Sequence, residues 1–444
     1  MGQKGYSAVG SLFSDRFLEM QGAHVDSYYA ATANSIPQHH RLENKLRCDV
    51  CVVGGGFTGV SAALHLSELG YDVVLLESQR VGWGASGRNG GQLGSGQRQD
   101  QGDLEKMLGI DHARLLWDLA EESKRTAKDL IAKYRIQCDL KPGILHPTHK
   151  AAYVDGAHRY VDKLKREYGY EHIRPVSTAE MREMLGTEVY YGGSLDTDAG
   201  HLHPLNYVLG LARAASDKGT RIFENSAVTR YTNHGSVSVY TEHAAVDAEY
   251  LIIGCNGYLQ DLEPKIAAGT MPINNFILAT EPLEEEHARQ LIRDDVAVAD
   301  SRFVINYYRL SADKRLLFGG GENYTQAFPR EIKSFVRKYM LKIYPNLDST
   351  RIDYAWGGTL AVTLNRMPHF GRLHGNVFYA QGYSGHGVAM AGLAGKLTAE
   401  AIDGNAGKFD TFATVPTPNF PGGRYLCWPA LALGMLYYSL RDRL

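Results

Sequence analysis

The sequence predicts an α/β chain of two interleaved units: a parallel sheet covered by helices, and an antiparallel sheet inserted into it. Three observations carry this. A strand, glycine turn, helix and strand follow one another from 48 to 77. Apolar strands return at 250–254 and 377–381, and the stretch 273–321 is rich in alternating apolar positions.

Val50, Cys51, Val52 and Val53 form a continuous apolar run, the pattern of a strand buried on both faces of a parallel sheet. Gly54, Gly56 and Gly59 then give G-x-G-x-x-G, with Phe57 and Thr58 inside it, and open a helix that Gly70 stops. Val73–Leu76 is a second buried strand, ending in Glu77 and Ser78. In such a turn the first glycine permits the tight bend, the second lets the backbone approach a pyrophosphate, and the third lets helix and strand pack closely. The helix start offers N–H groups and its positive dipole end to phosphates. Glu77, 23 residues after Gly54, stands where a carboxylate accepts hydrogen bonds from a ribose diol. All these parts in register specify a dinucleotide site. The acid does not separate flavin from nicotinamide, because both cofactors carry that diol.

A second glycine-rich loop follows directly. Gly84, Ala85, Ser86, Arg88, Asn89, Gly90, Gly91 and Gln92 form a backbone-exposed segment suited to lie along an extended cofactor, with Arg88 available to a phosphate. A helical region runs from about Gln101 to Tyr134. Residues 226–258 read as alternating strands followed by a buried strand, Tyr250–Gly254. FILATEP, FVINYYRLS and RLLFGGG within 273–321 suit an antiparallel substrate sheet. From 377 to 402 the chain reads strand, glycine turn, helix. Gly382, Gly385 and Gly387 there leave N–H groups at a helix start, where negative charge is stabilised. The expected organisation is an extension at 1–40, a cofactor unit from 41–100, 195–272 and 352–405, a substrate unit from 101–194 and 273–351, and a tail at 406–444.

At 444 residues the chain is too long for one simple core. Lys and Arg total 47 against 49 Asp and Glu, a net charge of −2, with no basic stripe. This speaks against nucleic acid and for small-molecule partners. The five cysteines are odd in number and scattered, as in a reducing compartment. Cys48 and Cys51 spell C-x-x-C. Three strand residues span roughly 10 Å with side chains on opposite faces, beyond disulfide reach. The histidines show no metal-ligand spacing, so no metal is expected. Residues 1–25 lack a secretory pattern, which points to the cytoplasm. The apolar run 425–438 is shorter than the roughly 20 residues of a spanning helix and contains Pro429, so a packed helix is expected there and no membrane partner.

These motifs resemble the FAD-dependent amine and amino-acid oxidase family that includes D-amino-acid, glycine and sarcosine oxidases. The resemblance runs from about Ser27 to the C-terminus. It rests on SYYAATAN (27–34), GFTGVSAALHLSELG (56–70), GRNGGQ (87–92), GHLHPLN (200–206), YYRLSADKRLLFGGG (307–321), RMPHFGRL (366–373), QGYSGHGV (381–388) and SLRDRL (439–444). Within the family it points to a bacterial subgroup acting on gamma-glutamyl amines such as gamma-glutamylputrescine. It implies a Rossmann-like FAD-binding domain interleaved with an antiparallel-sheet substrate domain. It also implies a backbone contact to the adenine near Val228, a return to the cofactor at Cys255 and Gly257, and flavin contacts at Gly382, Gly385, His386, Gly387 and Val388. Arg309 lies where related oxidases hold a substrate carboxylate, preceded by Tyr307 and Tyr308. Tyr383, His386 and Arg309 are the implied catalytic residues, with His203, Trp356 and Arg366 as further substrate contacts. Sarcosine oxidases link their flavin to a Cys in the region corresponding to 359–371, which contains no Cys here, so the FAD is expected to be non-covalent. The implied reaction takes an amine to an aldehyde in putrescine breakdown, releasing ammonia, with oxygen as acceptor and hydrogen peroxide as product. The alternative is a dehydrogenase passing electrons to a quinone or protein. Oligomeric state stays open.

Overall fold

Strand β1 (Leu46–Val53), helix α1 (Phe57–Glu68) and strand β2 (Val73–Leu76) form a βαβ unit whose strands pair in parallel from Val50↔Val73 to Val53↔Leu76. The computed structural model describes residues 22–35, 38–323 and 328–420. The apolar run 425–438 and most of the N-terminal extension lie outside the described residues. Beyond β2 the parallel sheet adds β3 (Arg221–Phe223); beyond β1 it adds β4 (Ala245–Ile253) and β5 (Val377–Gln381). The spatial order is β5-β4-β1-β2-β3, with an antiparallel hairpin, Val228–Asn233 and Val237–Thr241, on β4.

The apolar runs explain this placement. All four residues of β2 are buried, as are the last four of β1, because helices and the hairpin cover both faces. Two further helices, α2 (Pro204–Asp217) and α3 (Gly387–Ile402), pack on α1. At Gly395 of α3 an added Cβ would sit 2.4 Å from the Thr58 carbonyl oxygen, so α3 and α1 meet backbone to backbone.

One expectation about β1 is corrected. Cys48 and Cys51 share one apolar cluster with Val53, while Val50 and Val52 face another. The N–H groups of Asp49 and Val50 both donate to the Asp72 carbonyl, at 2.9 and 3.1 Å, a local irregularity across which the facing of the strand shifts by one residue. Both cysteines are buried and free.

Among the described residues the second sheet has nine strands. Its order is Ile352–Val362, Met271–Thr280, Leu316–Asn323, Tyr307–Leu310, Ala297–Ala299, Lys141–Pro147, Gly193–His201 and Gln92–Leu93, with Ile173–Val176 on Gly193–His201. Pairing is antiparallel except between Ala297–Ala299 and Lys141–Pro147. Gly193–His201 and Ile352–Val362, expected with the first sheet, pair here instead, so the chain crosses between sheets more often than its apolar pattern reveals. The helical region 101–134 is two helices, Gln101–Leu108 and Ile110–Lys133, broken at Gly109 where φ is 84°. Among the described residues no helix is long and apolar enough to cross a membrane.

Candidate active site

The carboxyl ends of β1, β2 and β4 open into a cavity of about 830 Å³, the edge of a parallel sheet where ligands are held. Gly54 has φ 110°, and a Cβ there would lie 2.9 Å from the Gly254 carbonyl oxygen. A Cβ on Gly59 would lie 1.9 Å from the Gly54 carbonyl oxygen. Gly59 therefore packs behind the turn, while Gly54, Gly56, Phe57 and Thr58 line the cavity. Gly56 caps α1 and His386 caps α3 without a side-chain hydrogen bond, leaving backbone donors at both helix starts.

Glu77 occupies the wall at the end of β2, beside Ser78. Its Oε2 accepts the Gly55 N–H at 2.6 Å; its Oε1 accepts the Gln79 N–H at 2.9 Å and the Ser78 hydroxyl at 3.1 Å. Burial raises its pKa, and the two N–H donors oppose that rise. Val228 and Cys255 line the same end. The Cys255 thiol is pushed up to about 12 by burial and lies 3.6 Å from the Val53 carbonyl oxygen. Gly257 is not on the wall; it packs against Leu360.

The second glycine loop runs along the cavity, with Gly84, Ala85, Ser86, Arg88, Asn89, Gly90, Gly91 and Gln92 all on its wall. Ser86 Oγ accepts the Phe57 N–H at 2.9 Å, stitching the loop to α1. The Asn89 amide donates to the Ala85 and Ser86 carbonyls at 3.0 Å each and accepts the Gly91 N–H at 2.8 Å, so the turn holds its own shape. Gln92 donates to the Val298 carbonyl at 2.8 Å. Arg88 differs from the expectation of a side chain extended to a phosphate. Its guanidinium lies 4.0 Å over the Trp83 ring and donates to the Trp83 and Gly357 carbonyls at 2.5 and 3.2 Å.

Opposite lies the turn before α3. Tyr383, Gly385, Gly387 and Val388 line the cavity. Tyr383 shares a hydrogen bond of 2.6 Å with Thr58, and burial raises its pKa. Gly382 stands behind the wall, its N–H bonded to Asn256 at 3.0 Å. His386 turns away toward Gly94, where a Cβ would meet its ring at 3.0 Å. Burial, then Arg98, lowers its pKa to about 4.

Of the substrate candidates, the cavity brings together Tyr307, Arg366 and Tyr383. It does not include Arg309. That guanidinium donates to the carbonyls of Gly90, Leu202 and Leu310 at 3.0, 2.8 and 3.3 Å, and to the Tyr29 hydroxyl at 3.2 Å. Its donors hold the glycine loop rather than facing the cavity. Tyr308 points to the opposite strand face and stacks on Phe318 in a separate core. Trp356 is buried and donates to the Arg88 carbonyl at 3.0 Å. His203 caps α2: its Nδ1 accepts the Asn206 N–H at 3.1 Å, and its Nε2 meets the Thr32 hydroxyl at 3.1 Å. Sequence reasoning missed Arg98, Asn275, Phe303 and Leu360, all on the wall. Arg98 directly follows the second glycine loop, which was a usable signal; the other three sit at positions no local pattern marks.

A cavity with two helix starts and a carboxylate at the strand end fits a flavin dinucleotide, and defines a flavoprotein oxidoreductase. The chain matches the family described as FAD dependent oxidoreductase over residues 49–401 and belongs to it. It is 43% identical over 422 residues to gamma-glutamylputrescine oxidoreductase of Escherichia coli K12, covering 95% of this chain and 99% of that protein. It is 39% identical over 425 residues to the probable oxidoreductase OrdL of Haemophilus influenzae, covering 95% of this chain and 98% of that protein. Glycine oxidase from Geobacillus kaustophilus shares the fold, with a TM-score of 0.69 at 19% identity over 81% of this chain and 95% of that one. The chain is therefore an FAD-dependent oxidoreductase.

Two outcomes follow from this geometry. Replacing Arg309 by Gln leaves the Gly90 and Leu202 carbonyls short of donors, so Arg309→Gln should lose about 3 kcal/mol or more of stability in denaturant titration and retain less FAD. His203 is held neutral: burial, then Arg309, lowers its pKa to about 3, against about 6.5 when unfolded. The unfolded chain takes up a proton that the native cap refuses. This contribution is complete above about pH 6.5 and falls by up to about 1.4 kcal/mol per unit as pH drops toward 3. His203→Asn, which keeps a capping acceptor, should flatten that acid limb in melting temperatures taken from pH 7 to 4.

Proposed function

We propose that this chain oxidises the primary-amine end of gamma-glutamylputrescine, or of a close gamma-glutamyl amine, to an imine. Water hydrolyses the imine to the aldehyde and ammonia. With oxygen as acceptor the balance is RCH2NH2 + O2 + H2O giving RCHO + NH3 + H2O2, a step of putrescine breakdown. The observation that carries this reading is the likeness to gamma-glutamylputrescine oxidoreductase over almost the whole of both chains.

Bound FAD would supply the capacity to accept a hydride equivalent from the carbon beside the nitrogen. The chain's own residues position and shield the reactants. Under this proposal the turn at Gly54, Gly56 and Phe57 meets the diphosphate, and Glu77 accepts from a ribose diol. The N–H groups opening α3 would stabilise negative charge developing on a bound flavin. Tyr307, Phe303 and Leu360 give an apolar wall on which an alkyl chain can lie with water displaced. No Ser-His-Asp arrangement is required, because a neutral amine needs orientation more than proton transfer.

The check is stoichiometry. Purified holoenzyme given gamma-glutamylputrescine in air should consume one oxygen and release one ammonia and one peroxide per aldehyde formed. Turnover only with an artificial dye acceptor would contradict the oxidase reading and favour a dehydrogenase.

A further inference from the structure

Tyr307 and Asn275 line the cavity from two strands of the second sheet, Tyr307–Leu310 and Met271–Thr280, with Leu316–Asn323 between them. Tyr307 pairs with Gly319 on that middle strand. A Cβ on Gly319 would come within 2.1 Å of the Tyr307 ring, and one on Gly90 within 2.7 Å. The ring therefore lies in a slot between two glycines and crosses the middle strand where it carries no side chain. Its hydroxyl reaches Asn275 on the far strand and donates to Oδ1. The pairing of the far strand with the middle one slips by one residue between Asn275 and Ile277, an irregularity of the kind that re-aims a side chain. Asn275 is half-buried and belongs to the cavity wall. A carboxamide has an acceptor oxygen and a nitrogen with two N–H donors. With the oxygen held by Tyr307, the Nδ2 of Asn275 has no hydrogen-bond partner among the described residues. The side-chain nitrogens of Asn89 and Gln92, also on the wall, differ: they donate to the carbonyls of Ala85, Ser86 and Val298.

We propose that the Asn275 carboxamide donates a hydrogen bond to the carbonyl of the substrate's gamma-glutamyl amide, and so selects a capped amine over a free diamine. The proposal rests on the reading of the chain as a gamma-glutamyl amine oxidase and adds a residue that enforces it. Capping one nitrogen of putrescine with glutamate turns an ammonium group into an amide, and the amide brings a carbonyl acceptor. Free putrescine at neutral pH carries two ammonium groups, which titrate near the lysine value and only donate. Set against Asn275 it leaves the Nδ2 donors facing other donors, and a donor left unpaired away from water weakens binding. A surface built to hydrogen-bond one substrate group rejects an analogue lacking that group more strongly than an apolar surface can. Tyr307 acts here as a positioning residue: its hydroxyl fixes which end of the Asn275 amide is turned to the substrate. The enzyme then reads the amide in the middle of the substrate, although the chemistry occurs at the amine end.

The test compares kcat/KM of the FAD-loaded enzyme for gamma-glutamylputrescine and for an isostere in which two methylene groups replace the amide CO–NH. Both compounds keep the same length, the same amine and the same amino-acid end. The ratio of the two values should be about tenfold lower in Asn275→Leu than in the native enzyme. Tyr307→Phe, which frees the amide to turn, should lower it by a smaller factor. Asn275→Asp, which keeps the acceptor for Tyr307 and loses the donor, should lower it at least as far as Asn275→Leu. A ratio that is the same in native enzyme and variants, even where the variants slow both substrates, overturns the proposal. A shifted absorption spectrum of the bound flavin in Asn275→Leu, with the ratio unchanged, places Asn275 on the cofactor and overturns it equally. If Asn275→Leu fails to retain FAD, the smaller neutral variant Asn275→Ser is judged by the same ratio. No turnover of any gamma-glutamyl amine, with another amine oxidised well, strikes the substrate reading itself and removes this proposal with it.

Discussion

The site depends on one close approach of backbones. The Gly54 turn, the start of α1 and the end of β4 come together with no room for a side chain at Gly54 or Gly59. Because they meet so closely, the first turn of α1, the end of β2 and the end of β4 open on one space instead of three. Glu77 gains its position from the same approach, since its carboxylate is fixed by the Gly55 N–H inside that turn. A larger residue at either glycine would displace the helix start and the carboxylate together.

The second support is the buried cation of Arg309. A guanidinium held on backbone carbonyls and a tyrosine hydroxyl gives the Gly90–Gly91 turn a fixed anchor in the second sheet. Tyr307, two residues earlier on the same strand, packs its ring against Gly90 and presents itself to the cavity. Its hydroxyl donates to Asn275 on the neighbouring part of that sheet. The loop that begins in the parallel sheet is thus shaped by the antiparallel one. This is how a discontinuous chain builds a single cavity from two sheets.

Much of this was legible in the sequence where a backbone requirement selects a residue type. The glycines at 54, 56 and 59, Glu77 and the turn before α3 fall where their spacing placed them. The resemblance places Arg309 where related oxidases hold a substrate carboxylate, but nothing local to its strand shows that its donors go to backbone carbonyls, where it anchors a loop. His203 and Trp356 likewise carry chemistry in principle, yet here one caps a helix and the other braces Arg88. The irregularity at Asp49–Val50 left no mark in composition, and Cys48 faces the same cluster as Cys51 because of it. Phe303 belongs to a loop whose position is set by tertiary packing.

The central claim is that the cavity couples a flavin to the amine end of a gamma-glutamyl amine. The most direct measurement is anaerobic titration of the FAD-loaded enzyme, following the visible flavin band. The account predicts rapid bleaching by gamma-glutamylputrescine, and far slower bleaching by putrescine, sarcosine or D-amino acids. A flavin that stays oxidised with gamma-glutamylputrescine but bleaches with free putrescine would contradict it.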